Sequence, residues 1–153
     1  MKIIFICTGN IVRSYMAERI LKKKLIENNR SDIYVSSASI FDMSGESGDP
    51  KAVKILEEMG FEAGNHNSKL LTEDMAAEAD MLLVMEQYHK DTIIGAYPDT
   101  KDKVSFLKPF SRGCEQFNND VEEIKDPHNL SAYHYRLCFA EIYLSVEGLL
   151  KCI

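Results

Sequence analysis

Four short runs of apolar, mostly β-branched residues punctuate the chain, at positions 3–6, 33–35, 81–84 and 104–107. None alternates apolar with polar side chains, the mark of a strand with one wet face, so each predicts a strand buried on both sides. Longer helical patterns lie between and after them. From residue 14 to about 26, Ala17, Ile20, Leu21 and Leu25 recur on one face, with Lys22, Lys23 and Lys24 mostly outside. A second helix is predicted over 50–59, where Pro50 suits a first turn and Gly60 a stop. Shorter ones are predicted over 73–79 and 86–94, and a long one over 131–150 with Cys138, Ile142, Val146 and Leu149 on one stripe. Strand and helix in alternation specify an α/β fold, a parallel sheet covered by helices. Such sheets bind ligands beyond the carboxyl ends of their strands, and the first loop of that kind runs from Cys7 to Arg13.

That loop reads Cys7-Thr8-Gly9-Asn10-Ile11-Val12-Arg13-Ser14. A strand-to-helix turn of this length can curl its backbone N–H groups around one anion, and the helix N-terminus adds positive partial charge. Gly9 allows a close backbone approach and Asn10 tolerates a left-handed conformation. Arg13 supplies a planar fork for two phosphate oxygens. Cys7, at the other end, is placed to attack phosphorus as a thiolate favoured by the same N–H groups, and the Ser14 hydroxyl can donate to that sulfur. A cysteine attacking a phosphate ester needs an acid for the departing oxygen and a base for the water that follows. Asp126, in an Asp-Pro pair between an irregular stretch (112–125) and the last helix, is the candidate. Asp49-Pro50, the other such pair, reads as a turn and helix start.

Composition narrows the partners. The 153 residues suffice for one compact domain spanning 1–153 and carry a net charge of -6, so no global basic field recruits nucleic acid or anionic lipid. No stretch approaches the ~20 apolar residues of a membrane span, and the opening run is too short for a signal peptide. The four cysteines are scattered without CxxC or zinc spacing, which argues against a disulfide-stapled secreted domain and for the cytoplasm.

The loop, the late Asp-Pro and the α/β pattern together resemble the low-molecular-weight protein tyrosine phosphatases, whose signature is Cys-x-Gly-Asn-x-Cys-Arg-Ser-Pro after the first strand. Ser37-Ala38, Asp49-Pro50-Lys51-Ala52, the stretch from His66 to Asp74, the stretch from Ala79 to Met85, and Asp126-Pro127 follow in family order, across nearly the whole chain. The resemblance implies a flavodoxin-like, doubly wound fold with a four-stranded parallel sheet. It implies Cys7 as nucleophile, Arg13 as phosphate clamp and Asp126 as general acid and then base. Thr8, Gly9, Asn10, Ile11, Val12 and Ser14 would hold the phosphate. Ser37 and His66 would support the loop. No metal or cofactor is implied; the expected partners are phosphoproteins, and the expected state a monomer or weak homodimer.

Departures from the pattern bear on the substrate. Val12 stands in place of the second loop cysteine, which removes a disulfide partner for Cys7, and Tyr15 in place of the signature proline. Relatives acting on phosphotyrosine usually carry an aromatic after the second strand and tyrosines right after the Asp-Pro. Here Phe41 and Met43 occupy the first region and His128-Asn129 the second, while Tyr133 and Tyr135 fall on the last helix, where core packing is expected. Segments 71–74, 102–104 and 107–108 resemble a protein arginine phosphatase branch, whose loop has threonine where Ile11 stands; an isoleucine suits an aryl ring better than a guanidinium. Arsenate reductases share the loop but need two closely spaced later cysteines that this chain lacks. A phosphate-binding module without catalysis would be signalled by loss of Cys7 or Asp126, and both are present.

Overall fold

A computed structural model describes residues 1–114 and 121–153. The elements follow in the order β1 (Lys2–Cys7), α1 (Arg13–Glu27), β2 (Tyr34–Ser39), α2 (Pro50–Glu58), α3 (Glu73–Glu78), β3 (Met81–Val84), α4 (Gln87–Ala96), β4 (Val104–Phe106) and α5 (Ala132–Leu150). Short 3-10 turns occupy Pro98–Lys103 and Lys108–Arg112. All strands pair in parallel, in the order β2-β1-β3-β4, the flavodoxin-like doubly wound arrangement.

Alternate residues of β1 serve opposite faces. Ile3 and Phe5 pack with Met16 and Ile20 of α1 and with Ile142, Val146 and Leu149 of α5. Ile4 and Ile6 join Leu82, Val84, Ala76 of α3 and Ile93 of α4 on the other side. With both faces dry, every position of the inner strands must be apolar, which is why no alternation marks them. Because β2 lies on one side of β1 and β3 on the other, the chain reverses direction at β1, and a crevice opens beyond its carboxyl end.

The predicted second strand stopped at Val35, yet β2 runs on through Ser36, Ser37, Ala38 and Ser39. Those serines are buried but not idle: Ser37 Oγ accepts from Asn10 and Ser39 Oγ donates to the Lys69 carbonyl at 3.0 Å. A hydroxyl satisfied by its neighbours can sit inside a sheet that propensity alone would end. Tyr135 is buried as expected, whereas Tyr133, one turn face away, is 69 % exposed and corrects the expectation of core packing for both. Cys114 and Cys152 form a disulfide, with Cα atoms 5.5 Å apart, tying the segment after Lys108–Arg112 to the end of α5. Their separation of 38 residues carries no spacing signal, so the sequence did not announce it. The stretch predicted to be irregular (112–125) lies partly outside the described residues. Among the described residues no helix is long and apolar enough to cross a membrane.

Candidate active site

The segment between β1 and α1 wraps a small cavity of about 110 Å³, far below the ~300–1,000 Å³ of most small-molecule pockets. Cys7, Thr8, Gly9, Ile11, Val12, Arg13, Met43, Asp126 and His128 line it. Surrounding segments take the loop's carbonyls. Ile40 N–H donates to Cys7 O and Phe41 N–H to Thr8 O, both at 3.1 Å, and Asp49 N–H to Ile11 O at 2.9 Å. His66 Nε2 donates to Asn10 O at 2.5 Å. The N–H groups of residues 8 to 12, by contrast, have no acceptor among the described residues. Val12 precedes helix α1 as its N-cap and gives no side-chain cap, and the first turn holds no acidic residue. Buried amides without partners are rare. A run of them at an open helix N-terminus, curled about a phosphate-sized space, is an anion cradle.

Asn10 is the residue that bends the loop, at φ 60, while Gly9 stays outside the left-handed region. Its side chain holds that conformation: Nδ2 donates to Ser14 Oγ (2.9 Å) and Ser37 Oγ (2.8 Å), and Oδ1 accepts from Lys69 N–H (3.1 Å). Ser37 Oγ in turn donates a hydrogen bond to Glu18. Burial alone would push the Glu18 carboxyl up, but hydrogen bonds from Lys22 and Ser37 outweigh it and hold it below the usual carboxylate range. Ser14 Oγ accepts from Asn10, and its single hydrogen has two acceptors in reach, Cys7 Sγ at 3.1 Å and the Ala38 carbonyl at 3.5 Å. Tyr15 settles behind the loop: its ring stacks on His66 with centroids 4.2 Å apart and its hydroxyl donates to Ala63 O at 2.9 Å. Burial lowers the His66 pKa, keeping the ring neutral in its contact with Asn10.

Arg13 closes the ring. Fully buried, it pairs with Glu86, donates to Ile124 O at 2.9 Å, and reaches Asp126 Oδ2 at 3.1 Å through Nη2. Burial opposes its charge, and the Cys7 sulfur, Asp126 and Glu86 together overcome that and hold the guanidinium protonated. Ile124 N–H is in turn fixed to Met85 O at 2.9 Å, which anchors the segment carrying Asp126 to the end of β3. Asp126 stays part-exposed, its Oδ1 accepting from His128 N–H at 3.1 Å. Asp49 caps α2, accepting from Lys51 and Ala52, and its other oxygen accepts from Tyr135 OH at 3.1 Å and faces His128 Nδ1 at 3.4 Å.

The structure therefore brings Cys7, Arg13, Asp126, Ser14 and the loop residues around one cavity and sets Ser37 and His66 behind it. Sequence reasoning missed Glu18, Glu86, Tyr88 and His89. The last three follow directly on β3, and the rule that directed attention to the end of β1 applies equally to its neighbour. Among the described residues no cluster of three or more His, Cys, Asp or Glu is placed to hold a metal. Free Cys138 is buried in α5, and burial pushes its thiol well above the ordinary range.

Comparison with known proteins agrees on one family. The model for "Low molecular weight phosphotyrosine protein phosphatase" matches residues 2–153. A protein-arginine-phosphatase of Geobacillus stearothermophilus is 32% identical over 97% of this chain and 93% of its own length. A low molecular weight protein-tyrosine-phosphatase of Acinetobacter johnsonii is 37% identical over 95% of this chain and 89% of its own. Among solved structures, a low molecular weight protein tyrosine phosphatase from T. tengcongensis superposes with a TM-score of 0.89 at 28% identity, covering 100% of this chain and 99% of that one.

Proposed function

Because the chain belongs to the low-molecular-weight protein tyrosine phosphatase family, we propose that it hydrolyses phosphotyrosine on proteins through a cysteinyl-phosphate. The observation that carries the reading is the row of loop amides, unpartnered among the described residues, in the segment that lines the cavity with Cys7. In the first step Cys7 Sγ attacks phosphorus, the bond to the phenolic oxygen breaks, and Asp126 gives that oxygen its proton. In the second, Asp126 takes a proton from water as the water oxygen bonds to phosphorus, the bond from sulfur to phosphorus breaks, and inorganic phosphate leaves Cys7 restored as a thiolate. Arg13 and the loop amides hold the equatorial oxygens, where charge is greatest in a loose transition state. Ser14, donating to the sulfur, makes it a better leaving group in the second step.

Three features support an aryl ester. Ile11 presents an apolar side chain to the cavity. Met43 lies over Gly9, with its Cγ 3.4 Å from where a Cβ would stand. Exposed Phe41 and Tyr88, their centroids 6.3 Å apart, form a ring pair beside the loop, since Phe41 N–H bonds Thr8 O and Tyr88 adjoins His89, which bonds the Thr8 side chain. The second reading, phosphoarginine, is favoured by the Geobacillus relative named a protein-arginine-phosphatase. The deciding experiment compares kcat/KM of the purified protein on matched phosphotyrosine and phosphoarginine peptides. The aryl ester should be preferred and Ile11→Thr should narrow the gap; faster turnover of phosphoarginine defeats the proposal.

We further place the protein in the cytoplasm as a monomer or weak homodimer, on its family and scattered cysteines. The Cys114–Cys152 pair counts against that compartment. Intact mass of protein taken from cells under thiol-blocking conditions tests it: a predominantly oxidised pair would move the protein to an oxidising compartment.

A further inference from the structure

His89 is fully buried on α4 and has no part in the steps above. Both its ring nitrogens are engaged. The Glu86 N–H points at Nδ1, 3.1 Å away. A backbone amide can only donate, so Nδ1 carries no proton. In a neutral imidazole the proton is then on Nε2, which lies 3.0 Å from Thr8 Oγ1 and donates to it. Burial and the nearby Arg13 keep the ring neutral, lowering its pKa to about 4 against the opposing pull of Asp126. Arg13 Nη2 approaches the same Thr8 oxygen at 3.4 Å. With donors on both lone pairs, the hydroxyl hydrogen of Thr8 must point elsewhere. Among the described residues nothing accepts it, and Thr8 lines the cavity beside Cys7 and Asp126.

We infer that His89 is a positioning residue which fixes the Thr8 hydroxyl as a donor into the cavity, adding a side-chain hydrogen bond to the main-chain cradle for a phosphoryl oxygen. A hydroxyl free to rotate presents lone pairs to an arriving dianion as readily as its hydrogen; one already receiving two N–H groups offers only the hydrogen. The inference deepens the phosphatase reading and rests on it.

Inorganic phosphate is the probe, measured as a competitive inhibitor of p-nitrophenyl phosphate hydrolysis and by direct binding to Cys7→Ser protein. Thr8→Val, nearly isosteric, should weaken phosphate about tenfold, the size of one hydrogen bond to a charged group, and Thr8→Ser should recover most of the loss. His89→Asn, whose amide reaches only the Nδ1 position, should weaken it about three- to tenfold; His89→Gln, whose amide reaches Nε2, should stay closer to wild type. Combined with Thr8→Val, His89→Asn should cost nothing more, because its effect passes through the hydroxyl. Alkylation of Cys7 by iodoacetamide at pH 7 should proceed at the wild-type rate in Thr8→Val. Phosphate affinity of Thr8→Val within twofold of wild type overturns the inference. So do additive losses in the double variant, and so does altered alkylation, which would assign the hydroxyl to the sulfur. A protein that binds phosphate with this dependence on Thr8 yet hydrolyses no phosphate ester overturns the phosphatase reading alone; full turnover with no such dependence overturns this inference alone.

Discussion

Acid should loosen this fold through His89. The ring is neutral in the folded protein, with its pKa brought from 6.5 to about 4. In the unfolded chain it takes a proton below about 6.5. A base with a depressed folded pKa contributes stability that is whole above the unfolded value and is lost as pH falls toward the folded one. The gap of about 2.5 pH units, at ~1.4 kcal/mol each, amounts to about 3.5 kcal/mol, of which about 2.5 is gone by pH 4.5. His66, also lowered by burial, adds loss in the same direction. Glu18, lowered as a carboxylate, loses its contribution only below its unfolded value near ~4.3. Urea unfolding at pH 7.5 and 4.5 reads the effect. At ~1.5–2 kcal/mol per molar urea the midpoint should drop by more than 1 M. His89→Gln removes its component, and because the readout is the change with pH, any general destabilisation by the substitution cancels. Equal pH-dependent losses in wild type and His89→Gln would refute the assignment of a buried neutral ring.

Other outcomes follow from the same contacts. Asp126→Ala should lower turnover by ~10²–10⁴ on phenyl phosphate and far less on esters with good leaving groups; equal losses on both in steady-state assays would leave Asp126 a merely structural role. Cys7→Ser should abolish turnover while urea unfolding shows the fold intact. Gly148→Ala would ordinarily strengthen a helix by up to ~1 kcal/mol, but its Cβ would stand 1.8 Å from the Phe110 carbonyl oxygen, so a loss of about 1–3 kcal/mol is expected in urea titration. Cys152→Ser should lower the stability of the oxidised protein by up to ~4 kcal/mol, the chain-entropy value for a loop of this length, and abolish the effect of reductant on the urea midpoint.

What was legible in the sequence was what lies contiguous in it. Residues 7 to 14 carry the proposed nucleophile and clamp, the left-handed Asn10 and the Ser14 hydroxyl in one stretch, and the strand before them and helix after them follow from local pattern. Asp126 was legible because proline follows it on a loop before a helix. Glu18, Glu86 and His89 were not, since nothing local separates a carboxylate that orients Ser37 from one on a solvated helix face. Their roles exist only when β1, β2 and β3 lie side by side, bringing Ser37 beside Phe5 and Phe5 beside Leu83. The serines of β2 misled for the complementary reason: polar residues end a strand by propensity, and these are kept in one by partners from other segments.

The charges in the cavity make the loop amides a needed complement to Arg13. Arg13 is the one guanidinium, and it already faces Glu86, Asp126 and the Cys7 sulfur. A phosphate dianion arriving there meets an excess of negative charge on a protein whose net charge is itself -6. Long-range attraction cannot supply the binding, so dipoles at contact distance must: the unpartnered amides, the open end of α1 and the Thr8 hydroxyl. On the proposed mechanism, a proton on Asp126 would remove one of the opposing charges and would also be the proton that the leaving phenolate requires. One protonation would thus, on that mechanism, serve both binding and bond cleavage.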